Sequence, residues 1–400
     1  MEKSPEHPPP RIESLRIQNY RALRDVTLDS LTPLTVFLGP NGSGKSTVFD
    51  VMAFLSQCFT EGLTRAWDAR SRFAELRSRG SDGPIVFELK YRERPGTPVI
   101  TYHLAIDEER GKPIVVREWL QWRRGSHGKP FRFLDFERGS GGATSGEAPD
   151  QAEERVQESL ASPDVLAVST LGQFERHPRV TALRRFITDW YLSYLTVEST
   201  RGAPEAGPQE RLSVSGDNLA NVLQRLQDAD PQRLQSIFGR LAQRVPLLER
   251  VVTEPLPDHR LLMRFKDRPF DEPVLARYAS DGTLKLLAYL VVLTDPTPPQ
   301  LIGIEEPENY LNPRLLRTVA EECIVASTRT QLMVTTHSPE FVNALEPKAV
   351  WVLARNESGF TRAQRADTMP AVLELFGEGE ELGRLWMQNA FEQLPLFDQV

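Results

Sequence analysis

The sequence predicts an α/β fold with a mixed β-sheet core, an antiparallel β subdomain and a helical insertion, organised around a phosphate-binding loop. Three observations carry this. The apolar run Leu34-Thr35-Val36-Phe37-Leu38 passes directly into Gly39-Pro40-Asn41-Gly42-Ser43-Gly44-Lys45-Ser46-Thr47, a complete Walker A pattern set between a strand and a helix. Two later apolar strands, Gln300 to Ile304 and Leu332 to Thr336, end in Glu305-Glu306 and in His337, at the strand ends where parallel α/β sheets place their ligands. Between them, residues 84–136 alternate apolar and polar, as in Ile85-Val86-Phe87-Glu88-Leu89, which is the period of half-buried strands.

In chain order, residues 1–10 are Pro-rich and polar and are expected to be unstructured, with short strands at 11–19 and 25–29 leading to the strand at 34–38. A helix is expected from Lys45 to about Phe59, and a small antiparallel sheet over 84–136. The low-complexity stretch Gly139 to Glu147 reads as a mobile loop, as does Arg201 to Arg211. Residues 178–243 are mostly helical in pattern, without a sustained heptad, which excludes long coiled-coil arms. Strands are expected at about 247–254 and 259–266. The chain thus divides into a tail (1–10), an N-terminal lobe with the phosphate loop and antiparallel sheet (11–136), a flexible loop with a helical insertion (137–245), a C-terminal lobe (246–365), and a C-terminal helix and tail (366–400).

Composition narrows the function. A chain of 400 residues with 40% hydrophobic content can bury a large core, and its net charge of −7 argues against a surface coated for nucleic acid, while leaving room for a local basic face. No apolar run reaches membrane-spanning length and MEKSPEHPPP has no signal-peptide core, so a cytoplasmic protein without a membrane partner is expected. Cys58 and Cys323, the only two cysteines, fall in apolar helical patterns and read as small core residues, not as a zinc or disulfide framework.

The residue types of the loop are those that phosphate binding requires. Glycines let successive N–H groups turn inward at a β-phosphate, and the helix that begins near Lys45 adds its positive end. Lys45 is expected to span the β- and γ-phosphates of ATP, with the Ser46 hydroxyl on Mg2+ and Thr47 as a neighbouring phosphate contact. Adjacent strand residues point to opposite sides, so Glu305 is assigned to the metal and Glu306 to polarising the attacking water, the competing role for both being a helix cap. His337 stands where a γ-phosphate sensor is expected, and Pro339 suits the first turn of the next helix.

The Walker A run, then Tyr278-Ala279-Ser280-Asp281-Gly282-Thr283-Leu284-Lys285-Leu286-Leu287, then IGIEEPENYLNP, then VTTHSPEFVNAL resembles, in that order, the ABC-type ATPases of the RecF/SMC-like group, in the stand-alone AAA-21 branch. The resemblance covers 12–60 and 210–355. It implies a P-loop NTPase of ABC/SMC-head type that hydrolyses ATP with Mg2+. Ser280-Asp281-Gly282 is similar to the family's signature motif, which binds the γ-phosphate held by the opposite subunit, so a homodimer closing on ATP is implied. By the same resemblance Tyr20 and Arg21, in Ile17-Gln18-Asn19-Tyr20-Arg21, lie near the nucleoside. Gln173 is the candidate Q-loop glutamine at the metal, with an ordinary surface glutamine as the alternative. Two departures stand out: Glu305 replaces the superfamily's usual Asp, and Asn312 occupies a place where this branch often has His.

Gln393-Leu394-Pro395-Leu396-Phe397 resembles the bacterial sliding-clamp-binding pentapeptide, with Gln393, Leu394, Leu396 and Phe397 as the docking residues. The alternative is a tail folded on the protein's own core, continuing Leu382, Leu385, Trp386 and Phe391. The resemblance implies an ATP-gated dimer in DNA-linked processes (repair, replication surveillance or anti-phage defence), in contact with double-stranded DNA and with a separately encoded nuclease or toxin. The alternatives are a regulatory scaffold or antitoxin-like ATPase that binds only protein, and a transporter-type subunit, which Ser280-Asp281-Gly282-Thr283 and the EEPE run disfavour.

Overall fold

The computed structural model describes residues 10–71, 73–123, 128–151 and 155–391. Strands β1 (Arg11–Tyr20) and β2 (Leu23–Asp29) form a hairpin, β3 (Leu34–Leu38) enters the core, and α1 (Lys45–Thr60) follows the phosphate loop, with short helices α2 (Leu63–Asp68) and α3 (Phe73–Leu76) after it. Then come β4 (Ile85–Arg92), β5 (Val99–Glu109), β6 (Lys112–Arg123), β7 (Phe131–Glu137), β8 (Ser140–Thr144) and β9 (Arg155–Ser159). Together with the first hairpin they make an eight-stranded antiparallel sheet, ordered β2-β1-β4-β5-β6-β7-β8-β9. Alternation decides its faces: Ile85, Phe87, Leu89 and Tyr91 of β4 point inward, and the residues between them point toward solvent.

Two expectations fail here for identifiable reasons. Ser140 to Thr144 is a strand, not a mobile loop, pairing with both β7 and β9. Its glycines hid it, yet they serve the sheet: a Cβ on Gly141 would stand 2.1 Å from the Asp135 carbonyl oxygen. The second concerns 178–243.

That stretch contains α5 (Pro178–Thr188), preceded by α4 (Ala167–Leu171), then a strand, β10 (Trp190–Ser193), and α6 (Val197–Thr200), α7 (Leu219–Ala229) and α8 (Pro231–Ala242). All four β10 residues are buried, so the strand shows no alternation and reads as part of a helical run. A three-stranded antiparallel sheet follows: β11 (Leu248–Pro255), β12 (Leu261–Asp267) and β13 (Val274–Leu275). The remainder is α9 (Asp281–Leu293), β14 (Leu301–Glu305), α10 (Pro313–Ala326), β15 (Gln331–Thr336), α11 (Pro339–Val342), β16 (Val350–Arg355), β17 (Thr361–Arg365), α12 (Pro370–Gly377) and α13 (Leu382–Met387).

The central sheet has the order β10-β14-β15-β3-β16-β17, parallel except for β17. It is buried on both faces, which its near-continuous apolar strands require. Phe37, Leu301, Met333 and Leu353 pack with α1 and the large sheet, while Val36, Ile302, Ile304 and Val334 pack with α9 and α10. Cys58 and Cys323 are buried on opposite faces, and burial pushes both thiols up. Leu382, Leu385 and Phe391 are buried in the second cluster. Residues 1–9 of the N-terminal tail, and Gln393, Leu394, Leu396 and Phe397 of the clamp-like motif, lie outside the described residues.

Candidate active site

Because β3, β14 and β15 run parallel, their C-terminal ends open on one edge of the sheet. β3 delivers the phosphate loop, β14 delivers Glu305 and Glu306, and β15, between them, delivers His337. Strands lie about 4.8 Å apart, so loop and carboxylates are separated by about 10 Å, the span of a triphosphate and its metal.

The loop fits an anion. Gly42 and Gly44 have φ of 78° and 108°, and a Cβ on Gly44 would stand 2.2 Å from Thr361 Oγ1, which itself donates to the Ser43 carbonyl at 2.8 Å. Gly44 caps α1 without a side-chain acceptor, so the N–H groups of the first turn remain available, and the buried Ser43 hydroxyl has no partner. The Lys45 ammonium is buried and donates to the carbonyls of Gly39 (2.8 Å) and Pro40 (3.1 Å). Burial lowers its pKa, against the opposing pull of Glu306, Glu308 and Glu305.

A divalent metal also fits, in a restricted way. Among the described residues no three His, Cys, Asp or Glu side chains cluster to hold an ion. Mg2+ characteristically takes one or two protein oxygens and completes its shell with phosphates and water, and exposed Ser46 in the first turn of α1 and Glu305 at the end of β14 offer oxygens of that kind at the same sheet edge.

Opposite Lys45, the turn after β14 is tightly specified. Glu306 has φ of 43°, and its N–H donates to the Thr335 carbonyl at 2.9 Å, while its Oε2 accepts from Asn309 Nδ2 at 3.1 Å. Glu308 Oε1 accepts from the His337 N–H at 2.7 Å and the Thr336 hydroxyl at 2.9 Å, and stands 3.1 Å from His337 Nδ1. The imidazole is thereby held toward Glu306, with Nδ1 3.9 Å from Glu306 Oε1. Such a constellation can cradle a phosphate chain, hold one hard cation and aim a water.

A family model described as "AAA domain, putative AbiEii toxin, Type IV TA system" matches residues 34–343. The chain belongs to this AAA domain family. Among solved structures, it is similar to an Smc head bound to the C-winged helix domain of ScpA, at 15% identity and a TM-score of 0.55, covering 89% of this chain and 99% of that one. It is also similar to the Pyrococcus furiosus Smc head with an extended coiled coil, at 14% identity and a TM-score of 0.52, covering 92% and 99%. These establish an SMC-head-like α/β fold, and no curated protein matches the chain. No helix among the described residues is long and apolar enough to cross a membrane.

In this AAA domain, Ser280 caps α9, accepting from the Thr283 N–H at 3.2 Å, and is exposed. Arg201 pairs with Asp281 and donates to the Ala279 carbonyl at 3.0 Å, clamping the segment from a neighbouring element. Asn312 caps α10, accepting from the Arg314 N–H at 3.0 Å, a structural use for the residue at the departure noted above.

Two assigned residues stand elsewhere. Tyr20 is fully buried among Phe54 and Phe87, with its hydroxyl donating to Asp50 at 2.6 Å, so no ring face remains for a nucleoside. Gln173 follows Ser169, whose hydroxyl donates to the Phe59 carbonyl near the far end of α1. That is thirteen residues beyond Ser46, about 20 Å along the helix, and Gln173 folds back on the Ser169 carbonyl at 3.2 Å. It cannot serve a metal at the loop. Arg21, paired with Asp50 at 2.9 Å, does border a hollow of about 370 Å3, with Arg77, Arg79, Arg355 and Phe360, next to Thr361.

Sequence reading left three residues without a role. Glu308 was visible only as the last acid of the EEPE run. Tyr194 follows β10, whose Ser193 pairs with Ile304, and its pKa is raised by burial and by the charge of Glu305, which marks it as a neighbour of that carboxylate. Lys285 lies in α9 and contacts the turn that carries Glu306.

Proposed function

We propose that the protein binds and hydrolyses ATP with Mg2+ at this edge. Two copies close head to tail, each offering Ser280-Asp281-Gly282 to the nucleotide on the other's Gly39–Thr47 loop. The observation that carries the reading is the convergence of three separate segments, the P-loop, Glu305-Glu306 and His337, at the ends of adjacent parallel strands. Bound magnesium ATP supplies the γ-phosphoryl group that water attacks. Lys45 and the first-turn N–H groups of α1 bind the phosphates, Ser46 and Glu305 hold the metal, Glu306 orients the water and accepts its proton, and His337 faces the γ-phosphate. The hollow beside Arg21, Arg355 and Phe360 accepts the nucleoside.

The dimer acts as a switch in DNA-linked processes, closing on ATP and reopening after hydrolysis, with a separate effector and with the Gln393–Phe397 tail as a clamp contact. Support comes from the SMC-head-like fold. The family's toxin–antitoxin description favours a second reading, in which the same switch holds only a protein partner. The test is the ATP hydrolysis rate with and without double-stranded DNA, with Glu306→Gln as control. Glu306→Gln should retain ATP and accumulate the closed dimer, and unchanged turnover in it would remove the assignment of Glu306. Stimulation by DNA supports the first reading; basal turnover indifferent to DNA moves the function to the protein-only one.

A further inference from the structure

α9 is buried over its entire length from Leu284 to Leu293, and the one charged side chain in that run is Lys285, 5% exposed. Nζ donates to the Asn309 carbonyl at 2.8 Å and approaches the Glu306 carbonyl at 3.4 Å, between the rings of Tyr289 and Tyr310 at 5.7 and 5.9 Å. Burial lowers its pKa to about 8, opposed by Glu308 and Glu306. Burying this cation costs free energy that the two carbonyl dipoles and the charges of Glu308 and Glu306 offset, so the ammonium in turn holds those carbonyls in place.

They belong to the turn that carries Glu306. Both Glu306 and Tyr310 take left-handed backbone conformations, with φ of 43° and 67°, which non-glycine residues hold only when their surroundings enforce it. α9 approaches the same turn at a second point. A Cβ on Gly282 would stand 3.0 Å from the Tyr310 carbonyl oxygen, so the first turn of α9 lies directly against it. Outward from this contact the surface carries exposed Ser280, with Tyr278 and Tyr310 exposed by 69% and 63%.

We propose that Lys285 is a positioning residue that couples the Ser280-Asp281-Gly282 end of α9 to the Glu306 carboxylate, so that a nucleotide docked on α9 by a second copy sets the water-directing group of this chain. This rests on the ATPase reading above. Lys285 touches neither nucleotide nor water; it acts through the backbone of Glu306 and Asn309. Its loss should therefore appear in turnover and not in affinity.

The test uses the full chain with Lys285→Met and Lys285→Arg, measuring kcat, KM, the ATP dissociation constant and, in the Glu306→Gln background, the fraction of ATP-dependent dimer. Lys285→Met should lower kcat about 20-fold or more with KM and ATP affinity within about three-fold, and Lys285→Arg should recover most of the loss. Glu306→Gln with Lys285→Met should dimerise as Glu306→Gln does. Turnover of Lys285→Met within about two-fold of wild type, or an equal loss in ATP affinity and turnover, or an Arg variant as slow as the Met variant, overturns the proposal. Should Lys285→Met not fold, Lys285→Gln, which keeps a polar end but loses the charge and one bond of reach toward the Asn309 and Glu306 carbonyls, is judged by the same criteria. A wild-type chain that binds ATP without turning it over overturns the ATPase reading itself, and this inference with it.

Discussion

Replacing Glu308 with alanine removes the acceptor that holds His337 in place. Glu308 Oε1 takes the His337 N–H at 2.7 Å and the Thr336 hydroxyl at 2.9 Å and stands 3.1 Å from Nδ1, while Oε2 is buried without a partner. Hydrogen bonds to a charged group contribute about 1.5–3 kcal/mol each. If the energy of one such bond goes into placing the imidazole, its loss corresponds to a drop in kcat of about 13- to 160-fold. Stability should fall by about 1–3 kcal/mol, because the fully buried Thr336 hydroxyl loses its acceptor, while water can take over the N–H of half-exposed His337 and the unpaired Oε2 is a desolvation cost removed with the side chain. The assay is steady-state ATP hydrolysis with ATP affinity measured in parallel, completed as a double-mutant cycle with His337→Ala. Glu308→Ala added to His337→Ala should cost no further activity, since both remove the same function. Additive losses, or a Glu308→Ala effect on ATP affinity as large as that on kcat, would refute the argument.

Two further outcomes are expected. Gln173→Ala should leave kcat and the magnesium dependence of turnover unchanged, because the residue stands at the far end of α1; a marked rise in the magnesium requirement would restore it to the site. Glu118, fully buried in the large sheet and bonded by the Tyr102 hydroxyl at 2.9 Å and the Val168 N–H at 3.2 Å, is pushed by burial to about 7. An acid whose folded pKa lies above its unfolded value is stabilising while protonated, and that contribution is lost as pH rises from the unfolded toward the folded pKa. Between pH 5 and pH 8 wild-type stability should fall by about 2.5 kcal/mol through this group, and Glu118→Gln should flatten the profile in urea unfolding; an unchanged slope would exclude it.

The elements legible in the sequence share one property: their signal is local. Leu34 to Thr47 carries its strand, its glycines at positive φ and its lysine in one continuous run, and β4 writes its own inner and outer faces. Ser338 and Pro339 likewise mark the start of α11, where Ser338 accepts from the Phe341 N–H at 3.4 Å. β8 and β10 were missed because their identity is conferred by neighbours. Glycines in β8 permit close strand approach, and β10 is apolar on both faces only because it joins a sheet that is covered on both sides.

The site divides in the same way. The placement of the Walker A run after β3, of Glu305-Glu306 at the end of β14 and of His337 after β15 was legible in the sequence alone, since each motif holds its residue types at fixed spacing at one strand end. Tyr20 and Gln173 were not, because whether a side chain faces a ligand or a core depends on what packs over it. Asp50 claims the hydroxyl of Tyr20, and the length of α1 removes Gln173 from the loop. The structure likewise decided that Glu308 holds His337, that Arg201 clamps Asp281 across 80 positions of sequence, and that Lys285 reaches the turn of Glu306. Such contacts join segments that sequence separates, and only the packing of α9 against the central sheet brings them within hydrogen-bond distance.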